Sequence, residues 1–377
     1  MSYKHLLRLA RNFSNGPAAV RPNALATKYY EEFDKFYPAL VEKTIDRCVD
    51  NDYKPLKAYC KKMLEYFTLC KLPIQGEFLV YAYELLEEPG KLTDEKIHQA
   101  YVVACATEAI QCGWALADDS FDQCKTRAGK PAWHLLPDTS KMVVSDALLF
   151  RSIVDEMLRQ NIPESIHPQI SDIFNEMNLV TEMGQCLDFM MPTTKDFSRY
   201  TAENFQRITN LKAACYGLNS PVMLALLLCG KASEENFKLV VHMCNDLGTF
   251  TQTNNDYTEY RDYQGCADYR YNTDFVNGTC TWTAVKTLQL GTEEQKKIFT
   301  ECYGSSDPEK IKRVIEIYDA LDMTKLYKQE ETNLYDSYAE KLRNLPANST
   351  PSPEFFKKIL EFYRSYISNT TKFYYKD

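Results

Sequence analysis

Histidine and glycine are scarce in this sequence, and its cysteines form no recognisable pattern. Five histidines stand too far apart for metal-ligand spacing, and none of the 13 cysteines forms a CxxC pair. A zinc site and a disulfide scaffold are thereby disfavoured, and the chain reads as a reduced intracellular protein. Only 13 of 377 residues are glycine, and no alternating strand series of any length is present. No apolar run reaches the roughly 18 residues of a membrane span. The longest, Val222 to Cys229, reads as a buried helix. A basic excess is also missing. Lys and Arg total 44 against 52 Asp and Glu, a formal charge of −8, which disfavours a nucleic-acid partner. Asn277-Gly278-Thr279, Asn348-Ser349-Thr350 and Asn369-Thr370-Thr371 match the glycosylation pattern. Without a secretory signal they read as chance matches.

What the chain has is helical periodicity. Phe33, Phe36, Tyr37, Leu40, Val41, Ile45 and Val49 recur at three- and four-residue spacing, and the pattern continues beyond them. Long apolar stretches such as Tyr101 to Ala117 predict helices buried on most sides. Pro137, Pro163, Pro168 and Pro192 mark helix ends or turns, and Pro308 opens a helix after the loop at Gly304. No repeat or linker divides the chain. The expectation is an all-α protein with one large helical domain over residues 31–377. Residues 1–30 carry Lys4, Arg8, Arg11, Arg21 and Lys28 and no acid. They read as a basic arm or a mitochondrial transit peptide, so the location is cytoplasmic or mitochondrial.

The chemistry concentrates at Asp118-Asp119-Ser120-Phe121-Asp122, at the end of an apolar helical run. Asp118 and Asp122 lie one turn apart and share a face. Two carboxylates aimed into a cavity are costly unless a cation lies between them. An all-oxygen set points to a hard ion, Mg²⁺ first, held with waters and a substrate phosphate. Arg127 follows as a fork for phosphate oxygens. The alternative is an acidic helix end with solvated charges. A second cluster, Gln252 to Asp262, also ends an apolar helix, and its Asn255 and Glu259 repeat the one-turn spacing. Lys212, opening another apolar helix, adds a positive charge. Two such clusters facing each other would frame a cavity for Mg²⁺ and a diphosphate.

These motifs resemble those of the trans-isoprenyl diphosphate synthases, the farnesyl diphosphate synthase-like family. Its DDxxD stands here as Asp118 to Asp122, and its Thr-Arg-Arg-Gly as Thr126-Arg127-Ala128-Gly129, with Trp133 beyond. Its GQxxD is Gly184-Gln185-Cys186-Leu187-Asp188. Lys212 and Tyr216 match the lysine-led helix before Pro221, and Gln252 with Asn255-Asp256-Tyr257-Thr258-Glu259 occupies the second aspartate-rich motif. Thr273-Asp274 and Cys280-Thr281-Trp282 match the segment after it. The likeness covers about residues 30 to 370. It implies the isoprenoid synthase helical bundle, three Mg²⁺ ions and a homodimer. Its metal ligands would be Asp118, Asp119, Asp122, Asn255, Asp256 and Glu259. Arg127, Lys212, Arg270, Gln252, Gln185 and Asp188 would contact the diphosphate.

The departures narrow the expectation. The family binds an allylic diphosphate and a second diphosphate, that of isopentenyl diphosphate. The allylic set is kept. On the acceptor side Leu72 and Gln75 stand where the family has lysine and arginine, with Lys71 as the alternative partial substitute under a slid register; Ala128 stands where it has a further arginine, and the basic tail is replaced by Lys372 to Asp377. Gln111, beside that acceptor in the family, is kept. Each lost cation removes a charge-assisted contact of roughly 1.5–3 kcal/mol. Three such losses amount to orders of magnitude in affinity. An allylic cation made without an acceptor must close on its own double bonds, lose a proton or meet water. Asn255 and Glu259 at the ends of the second motif also resemble terpene synthase ligand sets. The chain therefore resembles the insect-type terpene synthases related to this family, with a prenyltransferase as the alternative. Trp114 argues for a short tail and Gly113 for some added depth, so a C15 substrate, farnesyl diphosphate, is expected. Phe189, Tyr216 and Phe250 are candidate cavity rings, their faces suited to carbocations.

Overall fold

The computed structural model describes residues 28–68, 74–127, 130–261 and 274–374. The N-terminal arm, Lys71, Leu72, Ala128, Arg270 and the last three residues lie outside them. The fold is all-α. Its helices are α1 (Lys28–Cys48), α2 (Lys54–Thr68), α3 (Ile74–Leu86), α4 (Asp94–Phe121), α5 (Val143–Asn161), α6 (His167–Thr194), α7 (Ala202–Leu228), α8 (Glu234–Arg261), α9 (Asp274–Asn277), α10 (Trp282–Leu290), α11 (Glu293–Cys302), α12 (Pro308–Ala320), α13 (Met323–Asn344) and α14 (Pro353–Tyr374).

Helix α4 is the axis. The Thr93 side chain caps it by accepting from the Lys96 N–H, and Asp94 and Glu95 place negative charge in its first turn. Every residue from Ala100 to Ile110 is buried, as expected of a helix surrounded by others. Helices α1, α2, α3, α5 and the end of α7 pack around it. Small side chains let them come close. A Cβ on Gly113 would sit 3.0 Å from the Phe150 Cβ on α5. Gly113 is therefore a packing residue, not the source of cavity depth expected from the sequence. Two further cores complete the molecule. One surrounds Phe299 and Tyr318, and the other joins α3, α7, α8 and α14.

Helices α4 and α7 are long and apolar enough to cross a bilayer, but 78% and 67% of the relevant windows are buried against other helices. Helix α7 is not uniform. Residues Asn210–Asn219 form wider π turns. After α4 the chain makes a two-residue hairpin, β1 (Thr126–Arg127) against β2 (Lys130–Pro131). No alternation announced it. Trp133 anchors it: fully buried, its indole N–H donates to Asp146 at 2.8 Å, and the Tyr59 hydroxyl donates to the same carboxylate. Asp146 is a buried charge held by two donors.

Candidate active site

Both acidic clusters lie at the C-terminal ends of their helices, α4 and α8. There the helix dipole is negative and added carboxylates are disfavoured without a cation. The two ends face one cavity of about 370 Å³. Its lining includes Asp118, Asp122, Gln185, Asp188, Lys212, Gln252 and Asn255, all expected from the sequence. An adjoining cavity of about 110 Å³ runs deeper, past Gln111, Trp114, Thr181 and Tyr216. Trp114 and Tyr216 lie with ring centroids 5.6 Å apart. Phe189 lines the mouth, whereas Phe250 is buried in the core and stacked on Tyr327.

The polar groups are already engaged with each other. The Arg127 Nε donates to both Asp119 oxygens, at 2.7 and 2.8 Å, and its Nη2 reaches Asp118 at 3.3 Å. Asp119 is fully buried and does not line the main cavity. It holds the guanidinium that the hairpin brings back to α4. The Gln185 amide donates to Asp118 at 2.9 Å. The Lys212 ammonium donates to Asp188 at 3.0 Å and lies 3.7 Å from Asp118. A Cβ on Gly184 would fall 2.7 Å from the Lys212 backbone nitrogen, and one on Gly248 would fall 2.3 Å from the Ala214 Cβ. These glycines let α6 and α8 close on the π turns, which sets where Lys212 emerges.

The second cluster divides. Asn255 and Gln252 face the cavity. Asp256 and Glu259 are 3% and 4% exposed. Asp256 accepts from the Gln252 amide at 2.8 Å and from the Trp282 backbone N–H at 2.7 Å, at the start of α10. Glu259 accepts from the Asp274 N–H at 2.7 Å. That bond brings α9 to the site. Asp274, Asn277 and Thr279 line the cavity, and the Asn277 amide donates to Asp122 at 3.0 Å. Sequence reasoning missed Asn277, having met it only as a glycosylation match.

Charge in the cavity is lopsided. Burial first, and the nearby Asp118 carboxylate second, push Asp122 up to about 7. Burial likewise raises Asp188, with Lys212 opposing. Burial raises Asp256 further, reinforced by Asp274. Burial pulls the Lys212 ammonium down, but Asp188 and Asp118 outweigh it and hold it charged. Among the described residues the lining has four acids, Asp118, Asp122, Asp188 and Asp274, against one cation, Lys212. This donor set suits a hard divalent ion. No three acidic, histidine or cysteine side chains among the described residues form a preformed metal cluster. Mg²⁺ binds through one or two carboxylates, waters and a substrate phosphate.

A cavity between helix ends, with paired carboxylates and with Lys212 and Arg127 beside them, suits a metal-bound diphosphate. Comparison with known proteins agrees. The Polyprenyl synthetase family model matches residues 58–321, and the chain belongs to that family. It is similar to the bifunctional chrysanthemol synthase, chloroplastic, of Tanacetum cinerariifolium, 32% identical over 77% of this chain and 74% of that one. Farnesyl pyrophosphate synthase 2 of Parthenium argentatum is 28% identical over 86% of this chain and 95% of its own. The monoterpene synthase FDS-5, chloroplastic, of Artemisia spiciformis is 28% identical over 91% and 88%. Enzymes of this family process prenyl diphosphates and are generally Mg²⁺-dependent.

Proposed function

We propose that this enzyme is a class I terpene synthase that converts farnesyl diphosphate to a sesquiterpene or its alcohol, releasing diphosphate. One observation carries the reading: the sequence keeps the allylic-side residues, while in the frame given above Leu72, Gln75 and Ala128 stand at the cation positions of the acceptor side. In this reading Asp118 and Asp122 would hold Mg²⁺ from α4 and Asn255 from α8, with Asp119, Asp256 and the inward-turned Glu259 in support. Three bound ions would neutralise the leaving diphosphate. Arg127, Lys212 and Arg270 grip its oxygens, helped by the Gln185 and Gln252 amides, with Asp188 acting on the substrate through Lys212. Asp119 orients Arg127, and Asp188 orients Lys212. The Trp114 and Tyr216 faces stabilise positive charge on the folded chain.

Prenyl transfer is the second reading. The names of the farnesyl pyrophosphate synthase relatives favour it, and so does Gln111, which lines the tail cavity. Incubating the protein with Mg²⁺ and farnesyl diphosphate alone separates the two, with volatile products read by gas chromatography and mass spectrometry. Parallel tubes hold geranyl diphosphate, and either substrate with isopentenyl diphosphate. A terpene from one allylic substrate supports the synthase. A longer diphosphate formed only with isopentenyl diphosphate overturns it.

A homodimer belongs to the same proposal. Val144 and Leu148 on α5, with Leu179 and Met183 on the neighbouring α6, form an exposed apolar stripe that a second copy would cover. A monomer mass in solution for the wild type would count against it. A cytoplasmic or mitochondrial location rests on the basic N-terminus alone, and fractionation of cells expressing the full chain tests it.

A further inference from the structure

Residue 221, inside α7, is proline. In an α-helix its N–H would point at the carbonyl of Gly217, four residues back. Proline has no N–H, and its ring crowds that carbonyl. The helix responds with the π turns over Asn210–Asn219, and the Ser220 N–H donates five residues back, to Cys215. Wider turns of this kind concentrate at functional sites, and these carry Lys212 and Tyr216 into the cavities.

The Gly217 carbonyl receives a donor from far away in the chain. The Tyr363 hydroxyl, on α14, donates to it at 2.8 Å. Tyr363 is 4% exposed, and its ring packs edge-on against Phe78 at 5.1 Å. The ring is thus fixed by packing, and its one polar atom is aimed at the carbonyl that Pro221 cannot serve. We propose that Tyr363 is a positioning residue. Its hydroxyl holds the widened register of α7 and so fixes where Lys212 and Tyr216 meet the substrate. The inference rests on the proposed function only in taking diphosphate as the anion that Lys212 binds.

The test is a double-mutant cycle with Tyr363→Phe and Pro221→Ala. Calorimetry reads the affinity for inorganic diphosphate in the presence of Mg²⁺, and thermal unfolding of the metal-free proteins is followed separately. Phe keeps the ring and its packing. Tyr363→Phe is expected to weaken diphosphate binding about three- to tenfold, the scale of one buried hydrogen bond. Pro221→Ala restores the backbone N–H and lets α7 return to α turns, so it weakens binding by itself. In that background Tyr363→Phe should add nothing. Additive losses, or an affinity in Tyr363→Phe equal to the wild type, overturn the inference while the diphosphate site stands. A wild type that takes up no diphosphate with Mg²⁺ overturns the site reading and this inference together.

Discussion

The ends of α4 and α8 carry acidic clusters of the same spacing, yet the fold uses them differently. On α4, Asp118 and Asp122 face the cavity and repel each other, and Asp122 is raised to about 7. On α8, Asp256 and Glu259 turn inward and accept from backbone N–H groups of α10 and α9. Among the described residues of α8, the amides Asn255 and Gln252 line the cavity. A carboxylate one turn from another is thus not committed to a ligand role by its spacing. What decides is whether an unpaired N–H of the neighbouring chain lies within its reach. The α8 end builds the wall that the α4 end works against.

The contrast breaks most visibly in turnover. Asp118→Ala and Asn255→Ala should each lower kcat/KM for farnesyl diphosphate at least about a hundredfold, read by released diphosphate. Strong activity in Asp118→Ala would sink the metal assignment. Asp256→Ala should instead strike stability. It strands the Trp282 N–H in a buried place, a cost of about 1–3 kcal/mol, measured by urea unfolding of the metal-free protein.

Asp122 should show a pH-dependent effect on stability of the opposite sign. Its unfolded value is near 3.9 and its folded value about 7. Between them the native state holds the extra proton, so stability falls as pH rises across that window. Asp122→Asn should flatten this fall, and metal-free unfolding at pH 5 and pH 8 checks it. An unchanged slope would remove the crowding argument. Smallest of all, Ala128→Arg should leave turnover of an allylic substrate alone nearly unchanged, read by the same product assay. A large loss would mean that residue 128 serves the allylic side.

The helical plan was legible because apolar residues recur at helical spacing over long segments. Asp118, Asp122, Lys212 and Asn255 were legible because their spacing lies within single helices. Asn277 was not, since it reaches Asp122 across 155 positions and no local pattern reports that. The roles of Gly113, Gly184 and Gly248 were also hidden, because a close approach belongs to two helices and not to one. The second motif misled for a related reason. Spacing places Glu259 on a face, but the Asp274 N–H that occupies it comes from elsewhere.

Among the described residues, the four-to-one imbalance of acids over cations in the lining has a kinetic consequence. A bare diphosphate approaching Asp118, Asp122, Asp188 and Asp274 meets a field of its own sign, which lowers its encounter rate. The same anion carried in with divalent ions arrives nearly neutral or positive and is drawn in. Metal comes with or ahead of substrate, and at low metal the bare diphosphate should be a slow binder and a poor competitor. Raising ionic strength at fixed low metal should weaken that repulsion, so salt would speed the bare anion's entry while slowing the metal complex.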